Sequence, residues 1–148
     1  MYLDIDTFST ILKSTPLISI DLLVENQQNK FLLGMRSNQP ARNYWFVPGG
    51  RIYKNESIGK SFDRIAREEF GKSFSIENAK LLGLFEHFYD NSAVSESIST
   101  HYVVIAYKLK VDKLVDLPDH QHSAYKWFSK NELLSCNDVH HYTKAYLV

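Results

Sequence analysis

The chain has 148 residues, 44% of them apolar and 23% charged, the balance of an ordinary globular protein, and this length suits one domain over residues 1–148. Its 17 basic residues equal its 17 acidic ones, so no global basic field exists to hold a nucleic-acid backbone, and an anionic small molecule must be met by local Arg side chains. The single cysteine, Cys136, excludes an internal disulfide, and the N-terminal residues carry neither a basic leader nor a long apolar run; a reducing, cytoplasmic setting without membrane contact is expected.

In chain order, Asp4 can cap a short amphipathic helix bearing Ile5, Phe8, Ile11 and Leu12 on one face, stopped by Thr15-Pro16. Leu17 to Val24 reads as a buried strand with Ile18, Ile20, Leu22 and Val24 on one side. Asn26 to Asn29 is a turn, and Phe31 to Arg36 is the returning strand of a hairpin. A loop leads to a short strand at Tyr44–Val47, which Pro48-Gly49-Gly50 breaks. The clearest helix follows, capped by Asn55 or Ser57 and ended by Gly71, with Ile58, Phe62, Ile65 and Ala66 as its apolar stripe. Leu81–Phe88, His101–Tyr107 and Ala124–Phe128 read as strands. Ser129 caps a small helix through Leu134, and Asp138–Tyr146 reads as a C-terminal helix.

The long helix carries an anomaly. At ~100° per residue, Glu69 projects near the middle of the Ile58, Phe62, Ile65 stripe, and a carboxylate on a core-facing stripe is costly unless a cation meets it. It either frays past the last turn, pairs with a buried Arg, or joins oxygens of the preceding Pro-Gly-Gly segment in a hard site suited to Mg²⁺ or Mn²⁺. Arg64 and Glu68 are one turn apart and can pair.

Gly50, five residues, Glu56, seven residues, Arg64, then Arg67-Glu68-Glu69-Phe70-Gly71 resembles the Nudix box, Gly-x5-Glu-x7-Arg-Glu-U-x-Glu-Glu-x-Gly-U with U a bulky aliphatic residue. Ile65, Ala66 and Lys72 depart from it, and Ile65 removes one expected carboxylate ligand, which favours a single metal over a cluster. Further stretches are similar to the GDP-mannose mannosyl hydrolase subfamily: Ser19-Ile20-Asp21, Phe31-Leu32-Leu33-Gly34, Tyr44 to Arg51, His87-Phe88-Tyr89-Asp90, Thr100 to Val104 and Leu117 to His122.

That resemblance implies an α/β fold, a Nudix α/β/α sandwich with a mixed β-sheet between helices. It implies a homodimer and one Mg²⁺ per subunit, with Mn²⁺ able to substitute. The implied reaction is hydrolysis of a GDP-sugar to GDP and free sugar by water attack at the anomeric carbon. By the same resemblance the Gly49 carbonyl, Glu69 and Gln121 are metal ligands, and His122 is the general base. Arg36, Tyr102 and His87 serve the leaving group or sugar, Asp21 a sugar hydroxyl or the base, Arg51 the phosphates, and Tyr2, Leu3 and Phe8 the nucleotide.

Plainer roles stand beside these. Asp21 could make a structural ion pair with an Arg, and Tyr2 and Phe8 could seal the sheet. His87 and His101 could be hydrogen-bonded core rings, the role favoured for His101. His120, His140 and His141 read as surface residues, Trp45 and Phe46 as core, Arg42 and Arg67 as solvated. Two other functions compete with the glycosyl hydrolase: a pyrophosphatase cutting at phosphorus, and a nucleotide-sugar sensor without turnover.

Overall fold

The computed structural model describes residues 2–112 and 122–148. Strand β1 (Leu17–Glu25) pairs antiparallel with β2 (Phe31–Arg36), antiparallel with the short β4 (Gly49–Arg51) and parallel with β6 (Thr100–Lys110). Strand β2 also pairs with β3 (Trp45–Phe46) and β7 (His122–Phe128), and β6 with β5 (Ala79–Tyr89). The main strand order is β3-β2-β1-β6-β5, a mixed sheet with β1 at its middle.

Alternation along β1 builds two cores. Ile20, Leu22 and Val24 pack with Phe62, Ile65, Ala66 and Phe70 of helix α2 (Ile58–Phe70). Leu23 faces the other way, sharing a core with Leu33, Ala106 and Phe128, with Leu133 of α3 (Lys130–Ser135), and with Tyr146. Helices therefore cover both faces of the sheet, the expected α/β/α layering. Nearly every β1 residue is buried; the exception is Ile18, half exposed against expectation because it lies at the open end of the strand beyond the reach of α2.

The helix boundaries follow local chemistry. Asp4 accepts from the Thr7 amide to cap α1 (Ile5–Ser14). Ser57, rather than Asn55, caps α2 by accepting from the Lys60 amide, while Asn55 takes a positive φ in the turn before it. Gly71 ends α2 at φ 71°, a left-handed conformation favourable to glycine. Ser129 and Glu132 close a reciprocal capping box on α3.

Several strand ends shift by one to three residues from the sequence reading, and two elements differ in kind. Pro48-Gly49-Gly50 does not simply break the pattern, since Gly49 and Gly50 pair with Asp21 and Ile20 as strand β4. The C-terminal helix shrinks to α4 (His141–Lys144) followed by a 3₁₀ turn at Ala145–Leu147, because His140 caps it through its own ring: Nδ1 accepts from the Tyr142 amide. Among the described residues, no helix is long and apolar enough to cross a membrane.

Phe62 is fully buried between α2 and the sheet and meets Tyr107 edge to face at 5.4 Å. Phe62→Ala is expected to cost about 3–5 kcal/mol, read by urea denaturation. A loss below about 1 kcal/mol would mean that the α2 layer is not part of the cooperative core.

Candidate active site

The same alternation that aims Ile20 and Leu22 at α2 turns Ser19 and Asp21 to the opposite face. Register across β6 and β5 brings Tyr102 and His87 onto that face as well. These side chains, with Tyr89, Arg36, Phe46, Val47, Gly49 and Arg51, line a cleft of about 210 Å³.

Asp21 is buried, and its Oδ2 accepts from the Tyr146 hydroxyl at 2.5 Å. The partner of this carboxylate is thus a phenol rather than the Arg that a structural ion pair would require. Loss of solvent raises its pKa to about 7, against the lowering effects of the Tyr146 hydrogen bond and the Arg36 charge; the charge of Glu69 raises it further. A Cβ at Gly49 would stand 2.5 Å from Asp21 Oδ1 and 2.5 Å from the Ile20 carbonyl oxygen, so only glycine lets β4 lie this close.

His87 is buried in an aromatic cluster. Its ring stacks on Tyr142 at 4.1 Å and 9°, and its Nε2 lies 3.3 Å from the Tyr146 hydroxyl. Burial, reinforced by the neighbouring His140 and His141, lowers its pKa to about 4. His140 corrects the sequence reading: it is buried, not superficial, packed edge-on against Tyr44 and tilted against Phe46, and burial brings it to about 4 as well. His141 is exposed as expected. His101 is partly buried, but its ring stacks on Phe88 at 4.4 Å and its Nε2 has no hydrogen bond, so it is held by packing.

The loop before α2 is organised by Arg64. Its Nε donates to Glu56 Oε2 at 2.7 Å, its Nη2 to the Arg51 carbonyl at 2.8 Å, and its Nη1 to Glu68 at 3.1 Å, while the guanidinium lies over Tyr53. Glu56 also accepts from the Tyr53 amide and the Ser61 hydroxyl, and the Arg64 bonds hold its carboxyl at about 2. Glu68 pairs with Arg64 as its spacing suggested. Arg42 is exposed, and Arg67 meets Asp63 at the surface.

Of the residues singled out in sequence, Asp21, Arg36, Gly49, Arg51, His87 and Tyr102 converge on the cleft. Tyr2, Leu3 and Phe8 line an adjoining cavity of about 370 Å³ with Ile5, Ala93 and Val94, and Arg51 lines both. Glu69 is buried at 2% exposure on α2, one turn beyond Ile65, whose side chain packs on Gly50. Gln121 and His120 lie outside the described residues; the backbone of His122 is the register partner of Arg36 across β7 and β2. Sequence reasoning missed Tyr89, Tyr142 and Tyr146. Tyr146 had a signal only as the last apolar residue of a helical stretch, and nothing local ties it to Asp21, 125 residues away.

A mixed sheet between helices, with a glycine-rich strand feeding a helix that buries a glutamate, is the architecture of the Nudix hydrolases. Residues 15–146 match the NUDIX domain model, and the chain belongs to that family. It is 39% identical over 142 residues to the low-salt glycan biosynthesis protein Agl8 of Haloferax volcanii, covering 96% of this chain and 86% of that protein. It is similar in fold to the MutT protein of Methanosarcina mazei Go1, with a TM-score of 0.71, 22% identity, and coverage of 90% of this chain and 91% of that one. The NUDIX domain of Shewanella oneidensis NrtR, solved with ADP ribose, gives a TM-score of 0.67 at 19% identity, covering 90% of this chain and 87% of that one.

Nudix hydrolases generally use divalent metal ions, typically Mg²⁺. Among the described residues no group of three or more His, Cys, Asp or Glu side chains is arranged to hold a metal ion. What the described residues offer is a buried carboxylate, Glu69, whose charge reaches Asp21, and a glycine strand lying against Asp21 at Gly49 and against Ile65 at Gly50. Hard oxygen donors of this kind fit Mg²⁺ or Mn²⁺ and not a soft-ligand metal.

The buried rings and carboxyl set opposing pH dependences. Unfolded His87 and His140 take up protons below pH 6.5, whereas the folded rings resist until about 4, so their contribution is complete above 6.5 and lost as pH falls toward 4. Asp21 works in reverse: its folded pKa of about 7 exceeds the ordinary 3.8, so its protonation stabilises the fold as pH falls from 7. Two rings outweigh one carboxyl. The melting temperature is expected to fall between pH 6.5 and 4, and more steeply in Asp21→Asn, which lacks the offset; equal slopes in parent and variant would mean that Asp21 does not titrate there.

Proposed function

We propose that this chain hydrolyses a GDP-sugar, GDP-mannose with GDP-glucose as a second substrate, to GDP and free sugar, water attacking the anomeric carbon with inversion. The observation that carries this reading is Arg51, which forms the shared wall between two unlike cavities. One is polar, with Asp21, Arg36, His87 and Tyr102; the other is apolar, walled by Tyr2, Leu3 and Phe8. A nucleotide-sugar has the same order of parts: a flat base that stacks on rings, a diphosphate that needs guanidinium, and a sugar that needs directed hydrogen bonds. The glycan-biosynthesis name of the Haloferax volcanii relative agrees with a sugar-bearing substrate.

Attack at carbon rather than phosphorus is supported by the state of the motif. Where the full box has a glutamate, Ile65 is buried hydrocarbon packed on Gly50, and Glu56 is committed to Arg64. Glu69 is the box carboxylate that remains inside. In this reading the Gly49 carbonyl, Glu69 and Gln121 hold one Mg²⁺ or Mn²⁺ per subunit. When bound, the ion neutralises charge on the departing diphosphate. His122, the register partner of Arg36, removes the proton from the attacking water. Arg36 and Tyr102 stabilise the leaving GDP, His87 meets the leaving group or the sugar, and Asp21 orients a sugar hydroxyl. Tyr2, Leu3 and Phe8 bind the guanosine, Arg51 the phosphates, and the enzyme works as a cytoplasmic homodimer.

Hydrolysis of GDP-mannose in ¹⁸O-labelled water with Mg²⁺ tests the reading directly, with label expected in mannose. Label in GMP or mannose 1-phosphate would make the chain a pyrophosphatase, and binding with no product would make it a sensor. Glu69→Gln is expected to lower activity and raise the Mg²⁺ requirement together, each roughly tenfold or more. A Mg²⁺ titration matching the parent would remove Glu69 from the ligand set.

A further inference from the structure

Asp21 on β1 and His87 on β5 are separated in the sheet by β6. One atom touches both. The Tyr146 hydroxyl donates to Asp21 Oδ2 at 2.5 Å and lies 3.3 Å from His87 Nε2. Ala106 on β6, the register partner of Asp21, is small, buried and part of the same core as Tyr146.

A phenol has one proton to give. Once it is given to Asp21, the contact with His87 holds only if Nε2 carries a hydrogen and donates to the phenol oxygen. Burial keeps the His87 ring neutral, so a single ring proton is available, and it is assigned to Nε2, leaving Nδ1 an acceptor. The ring cannot easily turn to evade this, being stacked on Tyr142, whose hydroxyl is itself tied to β5 by bonds with the Phe88 amide at 2.9 Å and carbonyl at 3.1 Å. At the other end, engaging Oδ2 leaves Asp21 Oδ1 turned toward Gly49 on the cleft lining.

We propose that Tyr146 is a positioning residue of this active site: through one hydroxyl it fixes the orientation of the Asp21 carboxylate and the Nε2–H tautomer of His87 together. The proposal rests on the reading that Asp21 and His87 meet the substrate. The Tyr146 ring has a separate packing role, edge-on to Phe85 at 4.8 Å, and Tyr146→Phe keeps that ring while deleting the hydroxyl.

The test combines a spectroscopic and a kinetic arm on the full chain. With ¹⁵N-labelled histidine, the His87 resonances of the parent are expected to report Nε2–H, and Tyr146→Phe to lose that pattern. Asp21→Leu removes the acceptor, so the phenol proton turns to Nε2 and the ring is expected to switch to Nδ1–H; this variant carries the test if Tyr146→Phe fails to fold. In steady-state turnover, Tyr146→Phe is expected to lower kcat roughly 10- to 100-fold with KM within about twofold, the mark of lost alignment rather than lost binding. Turnover is measured first with GDP-mannose, then with any other nucleotide-sugar the parent hydrolyses. Failure of the parent on GDP-mannose therefore counts against that substrate alone. A His87 spectrum unchanged in the variants, or a changed spectrum beside an unchanged kcat, would overturn the role given to Tyr146.

Discussion

A carboxylate sits inside the central strand of the sheet, and the arrangement around it follows from the cost of keeping it there. Asp21 lies mid-strand among the buried Ile20, Leu22, Leu23 and Val24. Taking a carboxylate from water is expensive unless it is hydrogen-bonded, neutralised or met by a cation, and all three responses are visible. Tyr146 donates to it, its pKa rises to about 7, and the Arg36 charge opposes that rise. The C-terminal turn is consequently tied to the cleft and not an appendage, because it brings a neutral donor to Asp21.

The charged residues of the helix motif divide between two tasks. Arg64 spends its donors on Glu56, Glu68 and the Arg51 carbonyl, and its cationic face lies on Tyr53. That work is architectural: it fastens the segment between β4 and α2 so that the Arg51 backbone cannot drift while its side chain reaches both cavities. Glu69 differs because the apolar stripe it shares with Phe62 and Ile65 draws it inward. Motif membership alone therefore does not assign a role; the direction each side chain takes from the helix does.

Legibility in the sequence tracked the range of the interaction involved. The ends of α1, α2 and α3 were readable because Asp4, Ser57, Gly71 and Ser129 act on amides or dihedrals within a turn of themselves. The burial of Glu69 was readable because helical period is a local property. Strand β4 was not, since glycines signal a break unless one knows that Asp21 and Ile65 crowd the space a Cβ would fill. His140 was misread because a histidine among polar neighbours gives no hint of an aromatic cluster assembled from Tyr44, Phe46 and Tyr89. The cleft residues carried by resemblance came together, whereas the Tyr146 hydroxyl joins partners 59 and 125 residues away and left no local trace.

Burial also settles the electrostatics of the cleft in a way that composition conceals. The chain as a whole has net charge zero. Within the cleft, burial pushes His87 toward its neutral form and raises Asp21 to about 7, so neither carries a full charge near neutrality. Burial likewise holds the Tyr89 and Tyr102 phenols protonated. Arg36 and Arg51 line the same cleft, and the planar fork of a guanidinium suits it to phosphate oxygens. The same desolvation that makes Asp21 costly thus thins the negative charge beside Arg36 and Arg51, the two guanidinium side chains that line the cleft.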